Sequence, residues 1–169
     1  TGEVINERYL LNYDQILNGY EDELEKWEPI ADGCRSIAVR LGAKEYTCDI
    51  VLMRLLIKSS NTQALVPFIS IPDELPQELY PGDSPSLERF TQAVFYSRAA
   101  LGFFKAFDVA VDIMQVHESY AATGLIPDLF YNPEFSDDPR FTGAKKRIIG
   151  FGHTIVATAY PCYEPYYVG

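Results

Sequence analysis

Apolar residues recur along the first third of the chain at alternating spacings of three and four: Leu10, Tyr13, Leu17, Tyr20, Leu24, Trp27, Ala31, Cys34, Ala38 and Leu41. Such a stripe predicts helix with one buried face. Pro29 is tolerated in the first turn of a helix but not inside one, so the pattern predicts two helices, 7–27 and 28–41, the second ended by Gly42. Residues 45–58 (EYTCDIVLMRLLIK) are a nearly continuous apolar run, expected as a short buried helix, with a strand as the alternative that periodicity does not exclude. From Val66 to Pro85 the chain is punctuated by Pro67, Pro72, Pro76, Pro81 and Pro85, with Leu75, Leu79 and Tyr80 as apolar anchors. This Pro-rich excursion, 66–85, is expected either to pack over the domain or to act as a docking arm.

Ser84 and Pro85 have the chemistry of an N-cap and a first helical residue, and they predict a long helix, 84–123, closed by Gly124. Within it Thr91, Arg98, Lys105, Asp112 and Ser119 recur every seven residues, with Asp108 and Gln115 between them. The other faces are apolar, so this helix is expected at the centre of the fold. Asp138 and Pro139 announce a last element, in which Ala144, Ile148, Phe151, Ile155 and Ala159 keep helical spacing until Pro161. The same stretch, RIIGFGHTIVATAY, is β-branched and contains glycine, which suits a strand. Taken together the pattern predicts an all-α fold: a single domain, 1–169, forming a bundle of about five helices around helix 84–123. An α+β fold is the alternative if 45–58 and 147–160 are strands.

Composition narrows the partners more than the fold. A chain of 169 residues with 47% hydrophobic and 22% charged residues has the size and balance of one folded domain. Twelve tyrosines favour surfaces that are half wet, such as interfaces or pocket walls. A net charge of −10 argues against nucleic acid and anionic membrane as partners. The acidic run from Glu21 to Asp32 is expected as a solvated helix face, and Lys145-Lys146-Arg147 is too short for a nucleic-acid patch. Cys34, Cys48 and Cys162 have no metal-binding spacing and leave disulfide pairing and compartment open. No stretch is long and apolar enough for a transmembrane segment, since Ala99–Val116 is interrupted by Lys105, Asp108 and Asp112. No targeting signal is visible; position 1 is Thr rather than Met, as in a processed or trimmed chain.

Two histidines limit the acid–base chemistry on offer. On helix 84–123, His117 would share a heptad position with Tyr96, Phe103 and Ala110, opposite the polar stripe, and so be buried. Glu118 follows it, and Tyr120 lies one turn away. A buried histidine beside a carboxylate or a tyrosine has the make-up of a general base, and equally of a hydrogen-bonded structural residue. The catalytic candidates are therefore His117, Glu118 and Tyr120; Tyr96, Phe103, His117 and His153 are the candidates for an aromatic ligand pocket. No metal and no cofactor is expected. The Glu-x-x-His pair of di-iron bundles would need glutamate where Met114 stands, and GFGHTI lacks the third glycine of a dinucleotide loop. Asp108 and Asp112 are expected to pair with Lys105, and Ser97 to bond to backbone.

The chain ends on a stiffened aromatic tail, 160–169, in which Tyr160, Tyr163, Tyr166 and Tyr167 alternate with Pro161 and Pro165. The ending resembles the C-terminal tails of the helical small subunits of flavin-dependent sugar dehydrogenases over residues 160–167 alone, a likeness that assigns the chain to no family. Proline lowers the ordering cost of such a segment, and tyrosine supplies area and a hydrogen bond. The expected function is a non-catalytic accessory or interaction subunit. It would dock on a larger protein, or on another copy of itself, through the arm (Leu79, Tyr80) and the tail (Tyr160, Tyr163, Tyr166, Tyr167). The alternative is a small-molecule-binding bundle or enzyme with its pocket around His117.

Overall fold

Segments 28–41 and 45–57, both expected as helix, form a hairpin in the computed structural model, which describes residues 24–57, 62–78 and 86–151. Strands β1 (Leu24–Leu41) and β2 (Lys44–Ile57) are linked by Gly42 and Ala43, a connection that permits only antiparallel pairing. Gly42 takes φ +59, the left-handed conformation that tight hairpin turns demand. Strand β3 (Thr62–Ile69) completes a three-stranded sheet in the order β1-β2-β3. The fold is thus mixed α/β, not an all-α bundle. Both 28–41 and 45–57 are strand, and so is part of 147–160, where Ile148–Phe151 pairs in a second sheet.

The described residues divide into two compact units, 24–35 with 49–57 and 62–68, and 36–48 with 69–78 and 86–151. In the first, Ile50, Val51, Leu52 and Met53 are all buried, so both faces of β2 are covered there. A strand buried on both faces reads as an uninterrupted apolar run, which is why 45–58 carries no alternation to distinguish it from helix. Asp32 in β1 has φ 58, a left-handed conformation that aspartate tolerates better than most residues. Beside it a Cβ on Gly33 would lie 2.8 Å from the Ile30 carbonyl oxygen and 2.9 Å from that of Leu52. Only glycine lets the two strands approach so closely.

The second unit holds two apolar clusters. One joins Ile37, Val39 and Leu41 of β1 and Tyr46 and Cys48 of β2 to Leu75, Phe95 and Ala99. The spacing of two at 37, 39 and 41 is the period that the structure uses, and the three-four spacing of Ala31, Cys34, Ala38 and Leu41 is not. The proline-rich segment begins only after β3. Leu75 is buried, Gln77 donates to the Pro72 and Leu75 carbonyls, and Gln92 reaches out to those of Pro76 and Glu78 at 3.0 and 2.8 Å. Leu79 and Tyr80 lie outside the described residues, as do the tail 160–169, the segment 7–23 of the first expected helix, His153 and Cys162. Of the other cysteines, Cys34 is exposed and Cys48 buried.

The long helix expected at 84–123 is shorter. Helix α1 (Leu87–Ala106) starts at Ser86, whose side chain accepts from the Arg89 N–H at 3.1 Å, two residues after the cap expected at Ser84. It stops at Phe107 because the backbone closes on itself: Val109 N–H bonds the Phe104 carbonyl at 2.8 Å and Asp108 N–H that of Lys105 at 3.2 Å. With Asp108 at φ 53, this is a Schellman ending in which aspartate takes the place usual for glycine. The β-branched run that follows turns into strand β4 (Met114–His117), after which α2 (Glu118–Tyr131) packs back on α1. Gly124, expected to end a helix, sits within α2, where a Cβ would come 2.8 Å from the Val94 Cα. No helix among the described residues is long and apolar enough to cross a membrane.

A short helix α3 (Pro133–Ser136) and two 3-10 turns (Pro139–Phe141, Ala144–Lys146) lead to strand β5 (Ile148–Phe151). Asp138 and Pro139 do form a cap and first residue, with Asp138 accepting from the Arg140 N–H, but of a 3-10 turn and not of a long helix. The second cluster, Leu101, Val111, Met114, Val116, Leu125, Leu129, Phe135, Phe141 and Ala144, fills the space between α1, α2, α3 and β4. β5 pairs parallel with β4, Met114 opposite Ile148 and His117 opposite Phe151.

Candidate ligand site at the end of the parallel pair

Strand β4 alternates strictly: Met114 and Val116 are buried in the core, and Gln115 and His117 point away from it. The alternation places His117 on the solvent side of the last residue of the strand, at the N-cap of α2, with φ −99 and ψ 128. On β5 the register brings Phe151 alongside, and its ring stacks on the imidazole at 5.3 Å between centroids and 14° between planes. The Gln115 side chain lies on the same face, its Nε2 2.6 Å from His117 Nε2. Ile149 and Phe151 are exposed on this face, and nothing lies within 4 Å of where a Gly150 Cβ would be. The first turn of α2 has backbone N–H groups without intrahelical partners, the partial positive charge common to helix starts.

His117 is therefore not the buried helical residue that a helix over 84–123 implies. The physical reason is the chain reversal at Asp108, which converts residues 114–117 from helix to strand and turns position 117 outwards. Glu118 and Tyr120 open α2 directly after it. Tyr96 and Phe103 sit on α1, where Tyr96 meets Phe95 at 6.0 Å and Phe103 meets Phe104 and Phe107 at 5.0 and 5.1 Å. The aromatic neighbour that the structure gives to His117 is Phe151, which the sequence pattern places on a helix stripe. Its signal was the Ile-Ile-Gly-Phe run itself, which fits a short parallel strand once the helix reading is dropped.

The expected charge pairs are also redistributed. Lys105 pairs with Glu134 at 3.2 Å, while Asp108 pairs with Arg140 at 3.1 Å. Arg140 also holds Asp138 at 2.8 Å, and its hydrogen bond to that carboxylate, outweighing burial, lowers the Asp138 pKa below the ordinary value of 3.8. Arg98, expected on a wet stripe, makes a forked bond to Asp128 at 2.7 and 3.0 Å and also donates to the Arg40 carbonyl. Ser97 bonds the Ala93 and Ala121 carbonyls at 2.8 and 3.2 Å, the backbone role expected of it. Among the described residues no group of three or more His, Cys, Asp or Glu side chains is arranged to hold a metal ion.

The fold and site define a mixed α/β protein with a parallel β-α-β arrangement, in which a histidine is exposed where the first strand meets its helix. No family model matches the chain, and no curated protein is significantly similar to it in sequence. Among solved structures, the catalytic domain of starch synthase IV from Arabidopsis thaliana bound to ADP and acarbose is similar at a TM-score of 0.49 and 16% identity. That likeness covers 79% of this chain and 24% of the other.

Proposed function

We propose that the chain binds a small polar molecule at the C-terminal end of the β4–β5 pair, with His117 as its principal contact. The observation that carries this reading is the exposed imidazole at the junction of a parallel strand and a helix start, held flat against Phe151. In α/β sheets, ligands bind outside the carboxyl ends of parallel strands, because helix starts there aim unpaired N–H groups at a common point. Helix N-terminal amides favour an oxygen acceptor, so a phosphate, carboxylate or carbonyl is the group expected to sit there. The test is to titrate inorganic phosphate into the 15N-labelled full chain and follow the amide resonances of residues 115–120 and 149–151. Saturable shifts in this set, lost in His117→Ala and weakened in Phe151→Ala, support the reading. Shifts that are unsaturable or scattered over the chain overturn it.

The second reading is the accessory or interaction subunit. Its arm and tail anchors, Leu79, Tyr80, Tyr160, Tyr163, Tyr166 and Tyr167, lie outside the described residues. What favours it within them is the pair Phe130 and Tyr131 at the end of α2, where Tyr131 is 82% exposed. A hetero-complex or homo-oligomer seen by light scattering, and weakened by Tyr131→Ser or by deleting residues 160–169, supports it. A monomer indifferent to both changes removes it.

A further inference from the structure

The ion pairs of the second unit leave one charged turn out. Arg98, Lys105 and Arg140 each meet a carboxylate, and Lys145 donates to the Ser136 carbonyl. Asp112, Lys146 and Arg147 are all exposed, and among the described residues none of the three makes an ion pair. The backbone nevertheless holds them close. Ala144 N–H bonds the Val111 carbonyl at 2.8 Å, Met114 N–H bonds that of Arg147 at 3.0 Å, and a Cβ on Gly143 would lie 2.7 Å from the Asp112 Cα. One acid and two bases therefore share a patch of surface where β4 and β5 begin.

The strand side of this patch is apolar. Ile113 immediately precedes β4, Ile149 lies opposite Gln115 in the register, and the two residues are 53% and 47% exposed. Neighbouring apolar residues this open to water mark a contact surface, and the charges beside them say what it fits. A partner of one sign would press a like charge onto Asp112 or onto Lys146 and Arg147, which costs affinity. A second copy avoids this. Turned about a two-fold axis through the patch, it offers its bases to Asp112 and its Asp112 to the bases, because in such an interface residue i meets j and j meets i. We infer that the chain self-associates here, with Ile113 and Ile149 packing across the axis and Asp112 pairing with Lys146 or Arg147 of the second copy. A patch this small falls well short of the roughly 20–30 residues a side of a stable interface, so the dimer is weak, with a Kd between about 1 μM and about 1 mM. The inference gives a surface to the self-association that the second reading above allows, and it depends neither on Tyr131 and the tail nor on a ligand at His117.

The experiment is sedimentation equilibrium of the full chain from about 10 μM to about 1 mM, at about 0.05 M and about 0.5 M NaCl. The wild type should populate a dimer that the higher salt weakens. Asp112→Lys, and separately Lys146→Glu combined with Arg147→Glu, should each weaken it about tenfold or more, since like charges then face each other twice across the axis. Mixed in equal amounts, these two variants should form a heterodimer about as strong as the wild-type dimer, because every reversed group again meets an opposite charge. All three side chains are exposed, so the variants should keep the wild-type circular dichroism spectrum. Ile149→Ser should weaken the dimer at both salt concentrations. A wild type that stays monomeric at about 1 mM, a dimer indifferent to the charge reversals, or variants that do not associate on mixing would overturn the inference. A dimer lost in Tyr131→Ser but unmoved by the reversals would overturn it while supporting the second reading.

Discussion

Replacing Arg98 by leucine tests the polar link between the two long helices of the second unit. The guanidinium on α1 forks onto Asp128 of α2 at 2.7 and 3.0 Å, and the Asp128 side chain is only 5% exposed. Asn132 donates to the same carboxylate at 3.0 Å, so Arg98→Leu would leave a buried charge facing one neutral donor among the described side chains. Orphaning one member of a buried pair costs about 3–5 kcal/mol, because the remaining charge has lost both water and its partner. With a urea slope of about 1–3 kcal/mol/M for a small protein, the unfolding midpoint should fall by about 2 M. Asp128→Asn should cost less, about 1–2 kcal/mol, since Arg98 is 26% exposed and keeps the Arg40 carbonyl and access to water. Arg98→Leu combined with Asp128→Leu should recover most of the loss, because no charge is then left unpaired. The assay is urea unfolding of these three variants, the Asp128→Leu single and the wild type, followed by circular dichroism at the helix band. A cost below about 1 kcal/mol for Arg98→Leu, or a double variant as unstable as the sum of its singles, would refute the reasoning.

Gly124→Ala should destabilise the protein by about 1–3 kcal/mol, although alanine is the better helix former, because its Cβ would meet the Val94 Cα at 2.8 Å and Ser97 Oγ at 2.9 Å. A thermal melt that moves upwards instead would show that the α1–α2 crossing has slack. Asp138 is held below its ordinary pKa of 3.8 chiefly by its hydrogen bond from Arg140, so the unfolded chain takes up this proton first as pH falls. Its contribution to stability is then complete above about pH 4 and lost as pH drops through the lower folded value. In Asp138→Asn, stability measured between pH 5 and 2 should fall less steeply than in the wild type; equal slopes would mean that the Arg140 bond does not persist in solution.

Much of the local chemistry was legible in the residues. The Pro-rich stretch announced an end to regular structure, Asp138-Pro139 a capped start, Ser97 a backbone bond, and Gly42 the end of an element. The candidate site was legible only as a residue. His117 stood out because histidines are scarce, whereas its neighbours Phe151 and Gln115 did not, since one lay on an assumed helix stripe and the other on an assumed polar stripe.

What the sequence alone determined is which residues are apolar and where the chain can turn. It did not determine the period at which those residues are read. Leu24 to Leu41 fits a spacing of three and four as written, yet Ile37, Val39 and Leu41 are the residues that enter the core, because pairing with β2 satisfies the backbone and buries alternate positions. Residues 45–57 carry an apolar run with no period to read, and only burial on both faces made it a strand. Helix α1 stops at a left-handed aspartate that no glycine announced, so that residues 114–117 became available to pair with residues 148–151. Contact between segments that far apart along the chain is energetically a tertiary event, and it is this pairing that set His117 on Phe151 at the open end of the sheet.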